Sequence, residues 1–142
     1  MRRIALPLIC VLLLAATAGR GGAAESEATR AANGIVDVEL PAFFVPITVN
    51  ARLENYAFIT VSLTPTGADK VLTIREKVPF LRDAFLRELT KGTIIKAGDP
   101  TALDTPSVEA RLMARAKAVL PADTVSGLKL EQAVITPVEP GS

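Results

Sequence analysis

The chain has 142 residues, 49% hydrophobic and 22% charged, a length that gives one domain once an N-terminal targeting stretch is set apart. Its 16 basic and 15 acidic residues leave a net charge of +1, which argues against a nucleic-acid backbone as partner. There is no histidine and one cysteine, Cys10, so the commonest general base, the commonest metal ligand and any intramolecular disulfide are missing.

The chain opens Met1-Arg2-Arg3, continues with an uncharged apolar run from Ile4 to Gly19, and passes through small residues to Ala24. That order predicts a secretory signal peptide or a short uncleaved anchor over residues 1–24, with small-residue cuts after Ala18 or after Ala24. The run is shorter than the roughly 20 apolar residues that span a bilayer, and Pro7 interrupts it. Cys10 follows Pro7-Leu8-Ile9 rather than a small residue, which does not suit lipidation. In either form the body is expected to be exported, free or held at the membrane by that segment if it is retained. Membrane contact is then confined to that segment.

Residues Glu25 to Asn33 are small and polar and predict a flexible lead over 25–35. From Ile35, Val36, Val38 and Leu40 alternate with Asp37 and Glu39, the period of a half-buried strand. Pro41 ends that strand or bulges it, and Pro46 places the continuation, Phe43 to Val49, at a sheet edge, so the first strand is expected to be broken. Asn50 to Asn55 reads as a turn. The strongest strand runs Tyr56 to Thr64, with Ala57, Ile59, Val61 and Leu63 as its core face and Tyr56, Phe58, Thr60 and Ser62 opposite.

Val71, Ile74, Val78, Leu81, Phe85 and Leu89 recur every three or four residues and predict a helix, capped at Asp69 and kinked at Pro79. The rival reading makes Lys70 to Ile74 a hairpin strand and starts the helix near Pro79. Gly92 to Asp104 reads as an exposed loop. Thr105-Pro106 predicts an N-cap followed by Pro at the first helical position, with Val108, Leu112, Ala116 and Val119 as the apolar stripe. Arg111, Arg115 and Lys117 are expected to complement that helix's own dipole. A last strand is expected over Leu128 to Thr136, with Leu128, Leu130 and Val134 sharing a face with Gln132, and residues 138–142 as a frayed tail.

These elements predict an α+β fold: a small antiparallel sheet of about three to four strands against two helices, spanning residues 36–137. No catalytic residue, cofactor or metal site is expected. The acids are scattered singly, Ser62, Ser107 and Ser126 have no histidine, and a serine–lysine arrangement would need a proximity that sequence does not display. Gly19 to Gly22 has no strand before it and no helix after it, so it is not a phosphate loop. The candidates left are surface residues. Adjacent strand residues point to opposite faces, so one of Phe43 and Phe44 enters the core and the other is free for a partner. Arg82, Asp83 and Arg87 lie on the polar side of the helix, with Asp83 and Arg87 as an i,i+4 pair.

Three segments carry a family resemblance. Val38-Glu39-Leu40-Pro41-Ala42-Phe43-Phe44-Val45 resembles the opening strand of the flagellar basal-body-associated FliL family. Tyr56-Ala57-Phe58-Ile59-Thr60-Val61-Ser62-Leu63 is similar to that family's next strand, and Lys77-Val78-Pro79-Phe80-Leu81-Arg82-Asp83-Ala84-Phe85-Leu86 to its proline-containing helix. The resemblance covers about residues 36–136. It implies a non-enzymatic, stomatin/prohibitin-like periplasmic domain that forms homo-oligomers and modulates the motor stator in motility through protein contacts. Phe43, Phe44, Arg82, Asp83 and Arg87 are its candidate contacts.

Overall fold

The computed structural model describes residues 32–139, so the export segment expected over 1–24, the first part of the lead and the end of the tail lie outside the described residues. The elements in chain order are β1 (Val38–Glu39), β2 (Phe43–Val49), β3 (Arg52–Pro65), α1 (Lys70–Lys91), β4 (Ile95–Lys96), β5 (Asp99–Leu103), α2 (Thr105–Val119) and β6 (Val125–Pro137). This is the α+β arrangement expected: a four-stranded antiparallel sheet, two helices on one of its faces, and a separate two-stranded hairpin.

The long strand β3 forms the middle of the sheet. Ile59 pairs with Phe43 on one side and Ala133 on the other, and Ser62 with Glu39 and Lys129. Thus β1 and β2 share one edge of β3 and β6 takes the other. The break between β1 and β2 falls at Leu40 to Ala42, where Pro41 cannot donate to the ladder. Pro46 stays inside β2 opposite Tyr56, which an edge strand tolerates because its missing donor faces away from the sheet.

Strand period sets the burial. Phe43, Val45 and Ile47 of β2 and Ala57, Ile59, Val61 and Leu63 of β3 are buried on one face. Against it α1 lays Ile74, Leu81, Phe85 and Leu89, and α2 lays Val108, Leu112 and Ala116. The rings of Phe43 and Phe85 meet at 6.2 Å between centroids. α1 is one continuous helix, as the apolar period required, and the hairpin alternative for Lys70 to Ile74 is excluded. Pro79 lies on its exposed side, so the carbonyl of Arg75, left without its helical donor, faces solvent.

Several local expectations are corrected. The turn read over Asn50 to Asn55 is only Asn50-Ala51, and β3 starts at Arg52, four residues before Tyr56. Both turn residues have positive φ, 49° and 62°, the two-residue hairpin geometry that suits Asn followed by Gly. Ala51 therefore carries the left-handed cost without glycine's freedom. Ala51→Gly is expected to raise stability by about 1 kcal/mol, the relieved strain less the entropy glycine adds to the unfolded chain. Urea denaturation reads this directly, and a loss of stability would contradict the turn geometry.

Asp69 precedes α1 but makes no side-chain capping bond, and its carboxylate instead lies 3.1 Å from the Lys70 ammonium. The loop expected over Gly92 to Asp104 holds the β4–β5 hairpin, turned by Gly98 at φ 82°, with Ile94 buried beneath it. A strand of two residues is too short for a period-two pattern, and Asp99–Leu103 does not alternate apolar with polar residues. The cap of α2 is Asp104 rather than Thr105. Its carboxylate accepts from the Ser107 N–H, and Pro106 falls at the second helical position.

The last strand is longer than expected, and its face assignment changes within it. Leu128 and Leu130 pair with Leu63 and Val61, on the core side, whereas Gln132, Val134 and Thr136 pair with Thr60, Phe58 and Tyr56, on the outer side. Glu131 is an extra residue in the ladder, and such a bulge reverses the alternation for everything beyond it. Leu128 and Leu130 therefore do not share a face with Gln132 and Val134. The start of the expected frayed tail is also held, because the Val138 N–H donates to the Glu54 carbonyl at 3.0 Å.

Candidate interaction surfaces

Both helices cover the same face of the sheet; on the other face Thr60 and Ser62 are buried, while the end formed by Phe44, Tyr56 and Val134 is exposed among the described residues. On that face β2 contributes Phe44, β3 contributes Tyr56 and Phe58, and β6 contributes Val134 and Thr136, brought side by side by the pairs Phe44↔Phe58 and Phe58↔Val134. Phe44 is 66% exposed and stands edge-on to Phe58 with ring centroids 5.1 Å apart. Phe44, Tyr56, Phe58 and Thr136 line a shallow recess of about 280 Å³. An aromatic cluster exposed on an open sheet face has the composition of an interface centre.

The other end of this face is polar. The Ser62 hydroxyl donates to Glu131 Oε1 at 2.6 Å, and the Lys129 ammonium lies 3.4 Å from the same carboxylate. The Ser62 bond, with help from Lys129, holds the Glu131 carboxyl below the usual glutamate range. A serine and a lysine are thus neighbours here. The hydroxyl, however, donates to a weakened base, and the ammonium is paired with that same carboxylate, so the geometry does not activate Ser62 as a nucleophile.

The candidate contacts read from sequence separate into three places. Phe43 is 2% exposed and belongs to the core, which removes it from any contact surface, because its side chain shares the face of Val45 and Ile47. Phe44 is accessible on the sheet's outer face. Arg82, Asp83 and Arg87 lie on the exposed side of α1, where Asp83 and Arg87 form the expected i,i+4 pair at 3.1 Å. Both partners of that pair are well hydrated, so it contributes about 0.3–0.5 kcal/mol. Leu72 and Phe80 are also exposed on α1, with the Lys77 ammonium 5.2 Å from the Phe80 ring centre. The structure does not bring the α1 residues and Phe44 together, because they occupy opposite sides of the α/β layer pair.

The strongest polar cluster was not legible in the sequence. Glu88 accepts from Arg115 Nε at 2.8 Å and from Arg111 Nε at 3.0 Å, tying α1 to α2. Arg111 also donates to the Glu88 carbonyl at 2.7 Å and the Thr93 carbonyl at 3.0 Å. These two arginines therefore do not serve the end of their own helix, as their position in α2 suggested. Arg111 instead satisfies one C-terminal carbonyl of α1, that of Glu88, and the Thr93 carbonyl just beyond the helix. A Cβ at Gly92 would stand 2.8 Å from Arg111 Nη2, so a side chain there would make the guanidinium shift. Hydrogen bonds from Arg115 and then Arg111 hold the Glu88 carboxyl below its ordinary range. The alternation that placed Tyr56 and Phe58 opposite the core, and one of Phe43 and Phe44 outward, pointed to the aromatic face.

Among the described residues no group of three or more acidic, Cys or His side chains is arranged to hold a metal, and no helix is long and apolar enough to cross a membrane. Comparison with known proteins finds no family model that matches the chain and no match among curated proteins.

Proposed function

We propose that this protein is an exported, non-enzymatic contact module of the kind the FliL resemblance implies, acting at the flagellar basal body to modulate the motor stator. The observation that carries the contact role is the exposed aromatic end of the sheet's outer face, where Phe44 at 66% exposure is braced against Phe58 and flanked by Tyr56 and Val134. Burying such a cluster against a partner returns roughly 25 cal/mol per Å² of apolar surface, more than the hydrated Asp83–Arg87 pair supplies. The resemblance of Val38 to Val45, Tyr56 to Leu63 and Lys77 to Leu86 carries the flagellar part of the reading, and the Met1 to Ala24 pattern carries export. The alternative is a periplasmic envelope binding or assembly module unrelated to the flagellum, which would use the same face.

Deleting the gene is expected to reduce swimming and swarming under high viscous load. The unaltered gene should restore it, and Phe44→Asp should not, although the variant reaches wild-type abundance in the envelope fraction. Unchanged motility under load would reject the motor role. Normal motility with an envelope defect would establish the alternative.

A further inference from the structure

We propose that the aromatic recess on the outer face of the sheet is a binding site for a small quaternary ammonium ion, a free cation of the choline type. The chain has five Phe, one Tyr and no Trp, and three of these rings, Phe44, Tyr56 and Phe58, line this one recess. Phe44 and Phe58 stand at 78° to each other with centroids 5.1 Å apart, so their ring faces form two walls of a corner. Tyr56, two residues before Phe58 on β3, brings the third ring. The face of an aromatic ring carries the negative part of its quadrupole, so such walls attract a cation more than a neutral group of the same shape. The aliphatic side chains of Leu53 and Val134, also exposed, do not line the recess.

The lining also selects among cations. Among the described residues no Lys or Arg lines the recess, so nothing there repels a positive charge and nothing there receives the phosphate of a lipid headgroup. Its polar side-chain groups are the hydroxyls of Tyr56 and Thr136. A primary ammonium is a compact, strongly hydrated charge, and it would give up its water there for at most two acceptors. A quaternary ammonium spreads its charge over methyl groups and has no N–H to satisfy, so the same walls receive it at less cost. At about 280 Å³ the recess falls below the roughly 300–1,000 Å³ of drug-sized sites, which suits a cation of a few heavy atoms. The inference does not rest on the motor reading: it is tested on purified protein, and motility is tested in cells.

Tyr56 is the only tyrosine and the chain has no tryptophan, so intrinsic fluorescence reports on this recess alone. Titrating the full protein, as the cell processes it, with choline chloride at an ionic strength matched with sodium chloride should give a saturable, millimolar change in Tyr56 emission. The uncharged isostere of choline, with carbon in place of nitrogen, should bind about fivefold more weakly or worse. Phe44 is exposed, so its variants should keep the far-ultraviolet circular dichroism spectrum of the parent. Phe44→Leu leaves an apolar wall without the ring and is expected to bring choline down to the level of its isostere, whereas Phe44→Tyr should retain the preference. No saturable response to choline, or equal binding of choline and its isostere, would overturn the proposal. Tighter binding of phosphocholine than of choline would overturn the choice of a free cation and assign the recess to a lipid headgroup.

Discussion

Phe85→Ala is expected to destabilise the fold by about 3–5 kcal/mol, the range for emptying a buried aromatic site. Phe85 is fully buried in the middle of α1, packed between the helices and the ring of Phe43 on β2. Removing it opens a void that β2, at the sheet edge, and α1, held to α2 through Glu88, cannot both close. A loss of that size is a large share of the about 5–15 kcal/mol that keeps a domain folded. The paired control is Phe80→Ala. Phe80 is 62% exposed, so its removal is expected to change stability by no more than about 0.5 kcal/mol. Urea midpoints for the two variants should therefore differ widely at unchanged slope. Equal effects would mean that the helix is rotated relative to the sheet.

The same pair shows how far periodicity alone could be read. Phe85 falls on the stripe Ile74, Leu81, Leu89 and Phe80 falls off it, so the helix, its buried side and its passage through Pro79 were all legible as a spacing. The alternation in Tyr56 to Thr64 likewise marked Ala57, Ile59, Val61 and Leu63 as core before any coordinates. The pattern failed where one residue breaks the period. Glu131 looks like an ordinary polar position, yet as a bulge it moves Val134 from the expected company of Leu130 to the outer face beside Phe58. Whether a charged residue is bulged depends on what sits across the ladder, here the Ser62 hydroxyl, and one strand's sequence does not carry that information.

Long-range polar partners were hidden for a related reason. Glu88 and Arg111 are 23 residues apart, in helices whose mutual placement follows from packing both on one sheet face. Arg111 read locally is one more basic residue in the C-terminal half of a helix. Gly92 read locally is a helix stop. Only with both helices in place is the stop glycine seen to clear room for the arginine of the neighbouring helix. The candidate surface was half legible in the same sense. One of Phe43 and Phe44 had to face outward, but the partners that make Phe44 a cluster come from β3 and β6.

The Arg111 junction leads to the second large effect. Arg111→Ala is expected to cost about 2 kcal/mol at pH 7, because it removes charge-assisted bonds to the Glu88 carboxylate and to the carbonyls of Glu88 and Thr93. The hydrated Asp83–Arg87 pair, also an arginine with a carboxylate, should cost only a few tenths when broken. The pH dependence separates the two parts of the Arg111 effect. The Glu88 carboxyl titrates below its unfolded value of 4.5, so its ion-pair contribution is complete above that value and fades as pH falls through the depressed folded one. The carbonyl bonds need only the guanidinium, which stays charged throughout. The stability gap between the parent protein and Arg111→Ala should therefore narrow in acid and level off near about 1 kcal/mol instead of closing. Measuring the gap as a difference cancels the parallel titration of Glu131 and Asp99, whose carboxyls are also held low, by Ser62 and Thr101. Glu88→Gln should show the converse, a smaller loss at pH 7 and little residual dependence on acid. A gap for Arg111→Ala that closed fully below the Glu88 titration would assign the whole effect to the carboxylate and remove the helix-end role of Arg111.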